Sequence, residues 1–144
     1  MHFETPWGRA QSRKLIADGI CRYDTAGHGG YELSLARWRE LEREIPKFQS
    51  WAGRYWLEED CDWAVAPALW PQFFSHRTVH DAVQSCKARS AHDIPESFWE
   101  GRGKKAAQIA AEYARSQEGM NEACVETSMQ RIGNNGKTGE RNGR

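Results

Sequence analysis

The sequence predicts a small α+β domain: a short antiparallel sheet over about residues 8–33, with three or four helices packed on it. Two observations indicate this class. Residues 8–33 contain short apolar runs separated by turn residues, which is typical of strands and hairpins. From Ser34 onward the apolar residues recur instead at helical spacing.

The distribution of aromatic residues predicts where the core lies along the chain. All seven Trp and all five Phe occur at or before Trp99, and residues 133–144 contain no apolar side chain. A segment of that kind cannot bury enough surface to offset its chain entropy. We therefore predict one globular core over residues 3–100, an Ala-rich helix over 101–118, and a flexible tail over 119–144 that is disordered from about 133.

The strands are predicted from alternation and turn signals. Residues 9–16, 20–25 and 31–33 are strand-like, and Asp18-Gly19 is typical of a hairpin turn.

The first helix is predicted to begin at Ser34, a favourable N-cap, and to end before Pro46. Its apolar stripe is Leu35, Trp38, Leu41 and Ile45.

Three further helices are predicted. One begins near Glu58 and runs towards Trp70, kinked or split by Pro67. The next is capped by Thr78, and its apolar stripe consists of Val79, Ala82, Val83 and Cys86. The last covers about residues 103–117, and its narrow, Ala-rich stripe could pack on the core or bind a partner.

Composition excludes several classes of function. Twenty basic and twenty acidic side chains cancel, so no net field draws the chain to nucleic acid or to a membrane. Residues 131–144 carry four basic side chains and one acidic one, enough for weak, salt-sensitive contacts with nucleic acid. No apolar run approaches a membrane span, and the first residues are unlike a signal peptide. We expect a cytoplasmic protein.

Cys21, Cys61, Cys86 and Cys124 lack the close spacing of zinc ligands. We interpret them as reduced thiols, mostly buried as small hydrophobic side chains.

Two segments near the predicted sheet are candidate binding elements. Thr5-Pro6-Trp7-Gly8 fixes Trp7 between a rigid and a flexible residue, so Trp7 either closes the core or stacks on a ligand. Gly27-His28-Gly29-Gly30 surrounds a histidine with glycines, which can adopt positive φ and form an anion-binding nest. In such a loop His28 could be a general base or a metal ligand. The alternative is a tight turn in which His28 caps a neighbouring carbonyl.

Residues 58–63, Glu-Glu-Asp-Cys-Asp-Trp, are the most acidic part of the chain. If they are helical, Glu58, Glu59 and Asp62 share a face, and crowded carboxylates can perturb one another's pKa or hold Mg²⁺ or Ca²⁺. The alternative is that these acids occupy the first turn of a helix, where its dipole favours them, with Asp60 or Asp62 as the N-cap.

Taken together, the segments 5–8, 27–34 and 58–64 resemble an uncharacterised small domain of proteobacterial plasmids, integrated elements and phages. The resemblance covers about residues 4–75 and brings no established activity. It implies a setting, the accessory proteins of mobile DNA, many of which block host defence or adjust transfer.

We therefore carry two functional hypotheses. In the first, the chain is an accessory protein of a mobile element that binds a protein of the host or of the element, and it could inhibit host defence. Trp7, Gly29, Gly30, Glu58 and Asp60 are then candidate contacts. In the second, it is a small metal-dependent or acid/base hydrolase with His28, Glu59 and Asp62 as catalytic residues. We expect no cofactor and no dedicated metal residue, and a divalent cation is the alternative.

Overall fold

The computed structural model describes residues 2–88 and 93–135, with side chains up to Arg131 in the last helix. It confirms the predicted α+β class. The strands are β1 (Glu4–Thr5), β2 (Gly8–Arg9), β3 (Ser12–Ala17), β4 (Ile20–Asp24), β5 (Gly29–Leu33) and β6 (Trp56–Glu58). The helices are α1 (Leu35–Glu44), α2 (Val65–Leu69), α3 (His76–Ala88), α4 (Glu96–Glu100) and α5 (Lys104–Asn135), with a 3₁₀ turn at Pro71–Phe73.

The main sheet is antiparallel with the strand order β3-β4-β5-β6, and β1 and β2 form a separate two-stranded hairpin. The predicted Asp18-Gly19 turn joins β3 to β4, and Gly19 has a φ of +75°. The sequence prediction missed β6, which pairs with β5 after α1 has intervened. β6 is only three residues long, too short for alternation to reveal it.

One face of the sheet forms the core with α1. Ile20 of β4 pairs with Leu33 of β5, and Leu57 of β6 lies opposite Tyr31; all four side chains are buried. Alternation places them on the same face because successive strand residues point to opposite sides.

Helix α1 begins where the sequence predicts. The Ser34 hydroxyl accepts a hydrogen bond from the Arg37 backbone N–H at 3.3 Å, which satisfies one free amide of the first turn. Trp38 and Leu41 are buried as expected, whereas Leu35 is exposed. The ring of Trp38 packs edge-on against Phe48 and Tyr55.

The predicted helix from Glu58 is wrong in its first half. Glu58 ends β6, a turn follows, and the helix begins only at Val65. Pro67 lies within the first turn of α2, where a backbone amide has no intrahelical partner, so this proline breaks no helical hydrogen bond. The carboxylates of residues 58–62 therefore do not share a helix face.

Helix α3 begins two residues before the predicted cap. The hydroxyl of Ser75, rather than that of Thr78, accepts the hydrogen bond, from the Thr78 backbone N–H at 3.1 Å. The predicted apolar stripe of α3 is buried, and its Val79 and Val83 form a second cluster with residues of α5.

Helix α5 is longer than the helix predicted over 101–118. Its first turns use Ala106, Ile109 and Ala110 to pack on α3, as the Ala-rich stripe predicts. It continues through residues that we assigned to a flexible tail and ends at Asn135. The predicted disorder beyond residue 135 lies outside the described residues.

Two other expectations concern cysteine burial and the membrane. Cys21 and Cys86 are buried, Cys61 is partly buried and Cys124 is exposed. Burial raises the pKa of Cys86 to about 12, so this thiol is a packing residue rather than a nucleophile. None of the described helices is both long and apolar enough to span a bilayer.

Candidate functional site

The three sequence segments that we singled out come together at one end of the sheet. Gly30 of β5 pairs with Glu58 of β6, and the ring of Trp7 lies over Gly30. Trp7 also packs edge-on against Trp56, with ring centroids 5.5 Å apart. We refer to His28, Glu58, Glu59 and Asp60 as the His28 cluster.

The glycines of this region serve close packing, and the expected positive φ values are absent from Gly27, Gly29 and Gly30. A Cβ on Gly30 would lie 2.2 Å from the Leu57 carbonyl oxygen and 2.5 Å from Cη2 of Trp7. A Cβ on Gly29 would lie 2.9 Å from the Arg22 guanidinium. Both glycines are therefore required by their neighbours rather than by the backbone conformation.

The predicted anion-binding nest does not form either. The amides of Gly27 and His28 point to the hydroxyl oxygen of Thr25, at 3.4 and 3.1 Å. The backbone N–H and the hydroxyl of Thr25 in turn donate to the His28 carbonyl, at 2.8 and 2.7 Å. These hydrogen bonds close a tight turn and leave those two amides committed, so the turn holds the imidazole in place but does not cradle an anion.

The imidazole of His28 faces carboxylates across the gap between two turns. Its Nδ1 lies 3.3 Å from Oε1 of Glu58 and 3.7 Å from Oδ2 of Asp60. The His28 side chain is 55 % exposed, whereas the Glu58 residue is only 4 % exposed. One partner of the pair is therefore fixed in the protein and the other is open to solvent.

A compact turn after β6 positions the carboxylates. The Glu58 carbonyl accepts hydrogen bonds from the amides of Cys61, Asp62 and Trp63, at 3.2, 2.8 and 3.0 Å. Oε2 of Glu58 accepts a further bond from the Asp60 amide at 3.1 Å. The turn thus directs Glu58 inward and leaves Asp60 at the surface.

Glu59 is linked to β4 through an arginine that sequence reasoning missed. Nη2 of Arg22 lies 2.9 Å from Oε2 of Glu59 and 2.7 Å from Oδ1 of Asp24. A hydrogen bond from Ser12, together with Arg22, lowers the pKa of Asp24 below its usual value. The guanidinium also lies over the ring of Tyr31, and burial raises the pKa of that phenol. The Arg22-x-Asp24 spacing, which puts both side chains on one strand face, could have revealed this link.

Asp62, expected as a catalytic residue, has a contact of another kind. Its side chain is buried, and Oδ2 accepts a hydrogen bond from the Trp51 backbone N–H at 2.7 Å. This bond anchors the loop that carries Trp51, whose side chain is 79 % exposed. Six of the seven Trp are at least partly buried, so nothing in the sequence singles out Trp51 as the exposed one.

Chemically, the His28 cluster is suited to holding a proton or a cation. His28, Glu59 and Asp60 each offer one ligand atom, and these three atoms lie within 4.8 Å of one another. The buried carboxylate of Glu58 lies against the same imidazole. A carboxylate in that position fixes the orientation of a histidine ring and stabilises its charged form.

Comparison with known proteins leaves the chemistry of this site open. A family model described as a domain of unknown function, DUF7007, matches residues 1–126. No curated protein and no solved structure matches the chain. The match confirms that the chain contains an uncharacterised domain, and it extends well beyond residues 4–75, where we saw a resemblance. Since the model covers most of the sequence, the chain belongs to the DUF7007 family.

Proposed function

We propose that this protein acts by binding another protein through the second half of α5, residues 116–135. The observation that carries the proposal is exposure: every described side chain from Arg115 to Arg131 is exposed although the backbone is helical. Most helical stability in proteins comes from packing of one face. A helix segment that packs on nothing in its own chain is therefore suited to pack on a partner.

The side chains of this segment support a protein partner. Met120, Val125 and Met129 are among the most exposed large apolar side chains in the described part of the chain. Methionine is common at binding surfaces because its flexible, polarizable side chain adapts to different neighbours. These residues point to an apolar contact surface distributed around the helix.

The charges of the segment indicate what the partner presents. Glu118, Glu122 and Glu126 are spaced four residues apart, so they form one acidic ridge along the helix. Like charges at this spacing destabilise an isolated helix by about 0.2–0.5 kcal/mol per pair. A basic partner surface relieves that repulsion, so we expect the partner to offer Lys or Arg next to apolar residues.

The biological setting of the proposal comes from the sequence resemblance to domains of mobile DNA. In that setting the partner is a protein of the host or of the element itself. An accessory protein that binds a host defence component, and thereby inhibits it, is the specific form we propose.

A truncation provides the test. We expect a chain ending at Arg115 to keep the melting temperature of the full chain, because the deleted residues contribute nothing to the core. Full-length protein should retain a stoichiometric partner from host lysate, while the truncated chain should lose it. Leu15→Ser, which removes an exposed apolar side chain from β3, is the matched control and should retain the partner. A partner held equally well by the truncated chain would place the binding surface elsewhere.

A second candidate, an acid/base hydrolase, is favoured by the 3.3 Å contact between His28 and Glu58. His28 takes a proton from the attacking water and returns it to the leaving group, while Glu58 orients the imidazole. In this proposal Glu59 and Asp62 keep the catalytic roles that the sequence suggested, although their described contacts are with Arg22 and Trp51.

The hydrolase candidate is tested with generic ester and phosphodiester substrates. His28→Ala should abolish turnover without a change in melting temperature. The control is His80→Ala, since His80 also lies 3.0 Å from a carboxylate, Asp81, but on the exposed surface of α3. Equal turnover by the wild-type chain and His28→Ala would exclude His28 as the base.

A further inference from the structure

We infer that His28, Glu59 and Asp60 form a binding site for a divalent transition-metal ion, with Zn²⁺ and Mn²⁺ as the best candidates. This site is distinct from the α5 surface and does not depend on it. The inference rests on the donor set, on the buried carboxylate behind the imidazole, and on the freedom of the donors to move.

The donors are already nearly close enough to share an ion. Zinc binds nitrogen and carboxylate oxygen at about 2.0–2.2 Å, so two donors of one ion lie roughly 3–4 Å apart. The ligand atoms of His28, Glu59 and Asp60 lie within 4.8 Å of one another. All three side chains are at least partly exposed, so small rotations bring the donors to bonding distance without a change in the core.

Glu58 separates this cluster from an ordinary group of surface acids. Removing a carboxylate from water is costly unless it is paired, and here the carboxylate is directed at the imidazole at 3.3 Å. A histidine that binds a metal commonly has a carboxylate partner that fixes its ring and raises its basicity. Glu58 is therefore a positioning residue for His28 in this proposal.

Arg22 opposes the ion, which makes the proposal sharper. Its guanidinium occupies Oε2 of Glu59 at 2.9 Å and places a positive charge beside the site. The ion must either displace this ion pair or use the other carboxylate oxygen. Removing the charge of Arg22 should therefore strengthen metal binding.

The mixed donor set determines which ions are expected. Imidazole favours zinc and other transition ions, whereas Mg²⁺ and Ca²⁺ prefer sites made of oxygen ligands alone. A site that depends on His28 should bind Zn²⁺ or Mn²⁺ more tightly than Mg²⁺ or Ca²⁺. A merely acidic surface would not depend on the imidazole.

The experiment is isothermal titration of the full, tag-free chain with each chloride salt of these four metals. We expect one Zn²⁺ or Mn²⁺ per chain, binding lost in His28→Ala and in Asp60→Asn, and binding kept in the control His80→Ala. Circular dichroism verifies that each variant is folded. Absence of binding, equal binding by His28→Ala, or no preference over Mg²⁺ and Ca²⁺ would each overturn the inference.

Two further variants separate positioning from ligation. Glu58→Gln should keep the fold but weaken the metal by about 10- to 100-fold, as loss of a supporting carboxylate does elsewhere. Arg22→Met should tighten it. Unchanged affinity in both variants would overturn the roles assigned to Glu58 and Arg22. The chain ending at Arg115 should bind the ion normally, so failure of the α5 proposal leaves this test intact.

Discussion

Strand β5 around Gly29 and Gly30 and the second half of α5 lie at opposite extremes of packing. At Gly30, even one added carbon atom would overlap a backbone carbonyl and an indole ring. At Gly119 of α5, an added carbon would meet no neighbouring atom within 4 Å. Regular hydrogen-bonded structure alone is therefore a poor guide to which residues hold the fold together. Packing decides it, and the effects of mutation should divide along the same line.

The largest effect is expected for Gly30→Ala. The new Cβ would lie 2.2 Å from the Leu57 carbonyl oxygen, so β5 and β6 must separate and Trp7 must move. Overpacking of this kind costs about 1–3 kcal/mol, and contact with backbone puts this case near the upper end. Urea denaturation measures the change. Gly27→Ala is the matched control, since a Cβ there has no neighbour within 4 Å. Equal stabilities of the two variants would contradict the close packing at Gly30.

Asp62→Ala should have the next largest effect. The substitution removes the acceptor of the Trp51 amide, and a hydrogen bond to a charged, buried group contributes about 1–3 kcal/mol. Amide exchange at Trp51 should accelerate while the amides of α5 are unaffected. Asp60→Ala is the control on an exposed carboxylate of the same turn, for which a change within about 0.5 kcal/mol is expected.

The sequence predicted this comparison only in part. Local signals were sufficient for α1, where Ser34 caps the helix and Trp38 and Leu41 repeat at its period. They were sufficient for the Asp18-Gly19 hairpin because a turn is encoded by adjacent residues. They failed for β6, whose pairing with β5 depends on residues far along the chain.

The candidate site shows the same division. The residue types of the His28 cluster were visible as motifs, but the contact between His28 and Glu58 depends on the pairing of β5 with β6. Crowded acids suggested a helix face that does not exist, because three amides bond to the Glu58 carbonyl and form a turn instead. Asp62 belongs by sequence to the acidic segment, yet its carboxylate accepts a hydrogen bond from the Trp51 loop. The end of α5 was missed because a helix that packs on nothing shows no apolar stripe.

A smaller effect is expected from acid, and it should involve the sheet rather than α5. The pKa of Asp24 is lowered in the fold by Ser12 and Arg22, so the ionised carboxylate stabilises the native state. That contribution is present above the unfolded-state value of about 3.9 and is lost as the pH falls through the lower native value. Because Asp24 is about half exposed, it amounts to less than about 1 kcal/mol. Asp24→Asn should flatten the pH dependence of stability below about pH 4, as measured by urea denaturation. An unchanged pH profile would mean that the Arg22 and Ser12 contacts do not hold in solution.

The smallest effect on global stability is expected for Gly119→Ala, although its local effect is measurable. Alanine in a helix interior is more favourable than glycine by about 0.8–1.0 kcal/mol, so the helicity of residues 116–135 should increase. If this segment is uncoupled from the core, circular dichroism should show more helix while the urea midpoint stays the same. The corresponding substitution Gly103→Ala, just before α5, should instead destabilise the fold, because its Cβ would lie 2.4 Å from the ring of Phe98. A rise in the midpoint with Gly119→Ala would mean that the end of α5 unfolds together with the core, and that its stability comes from contacts within the chain rather than from a partner.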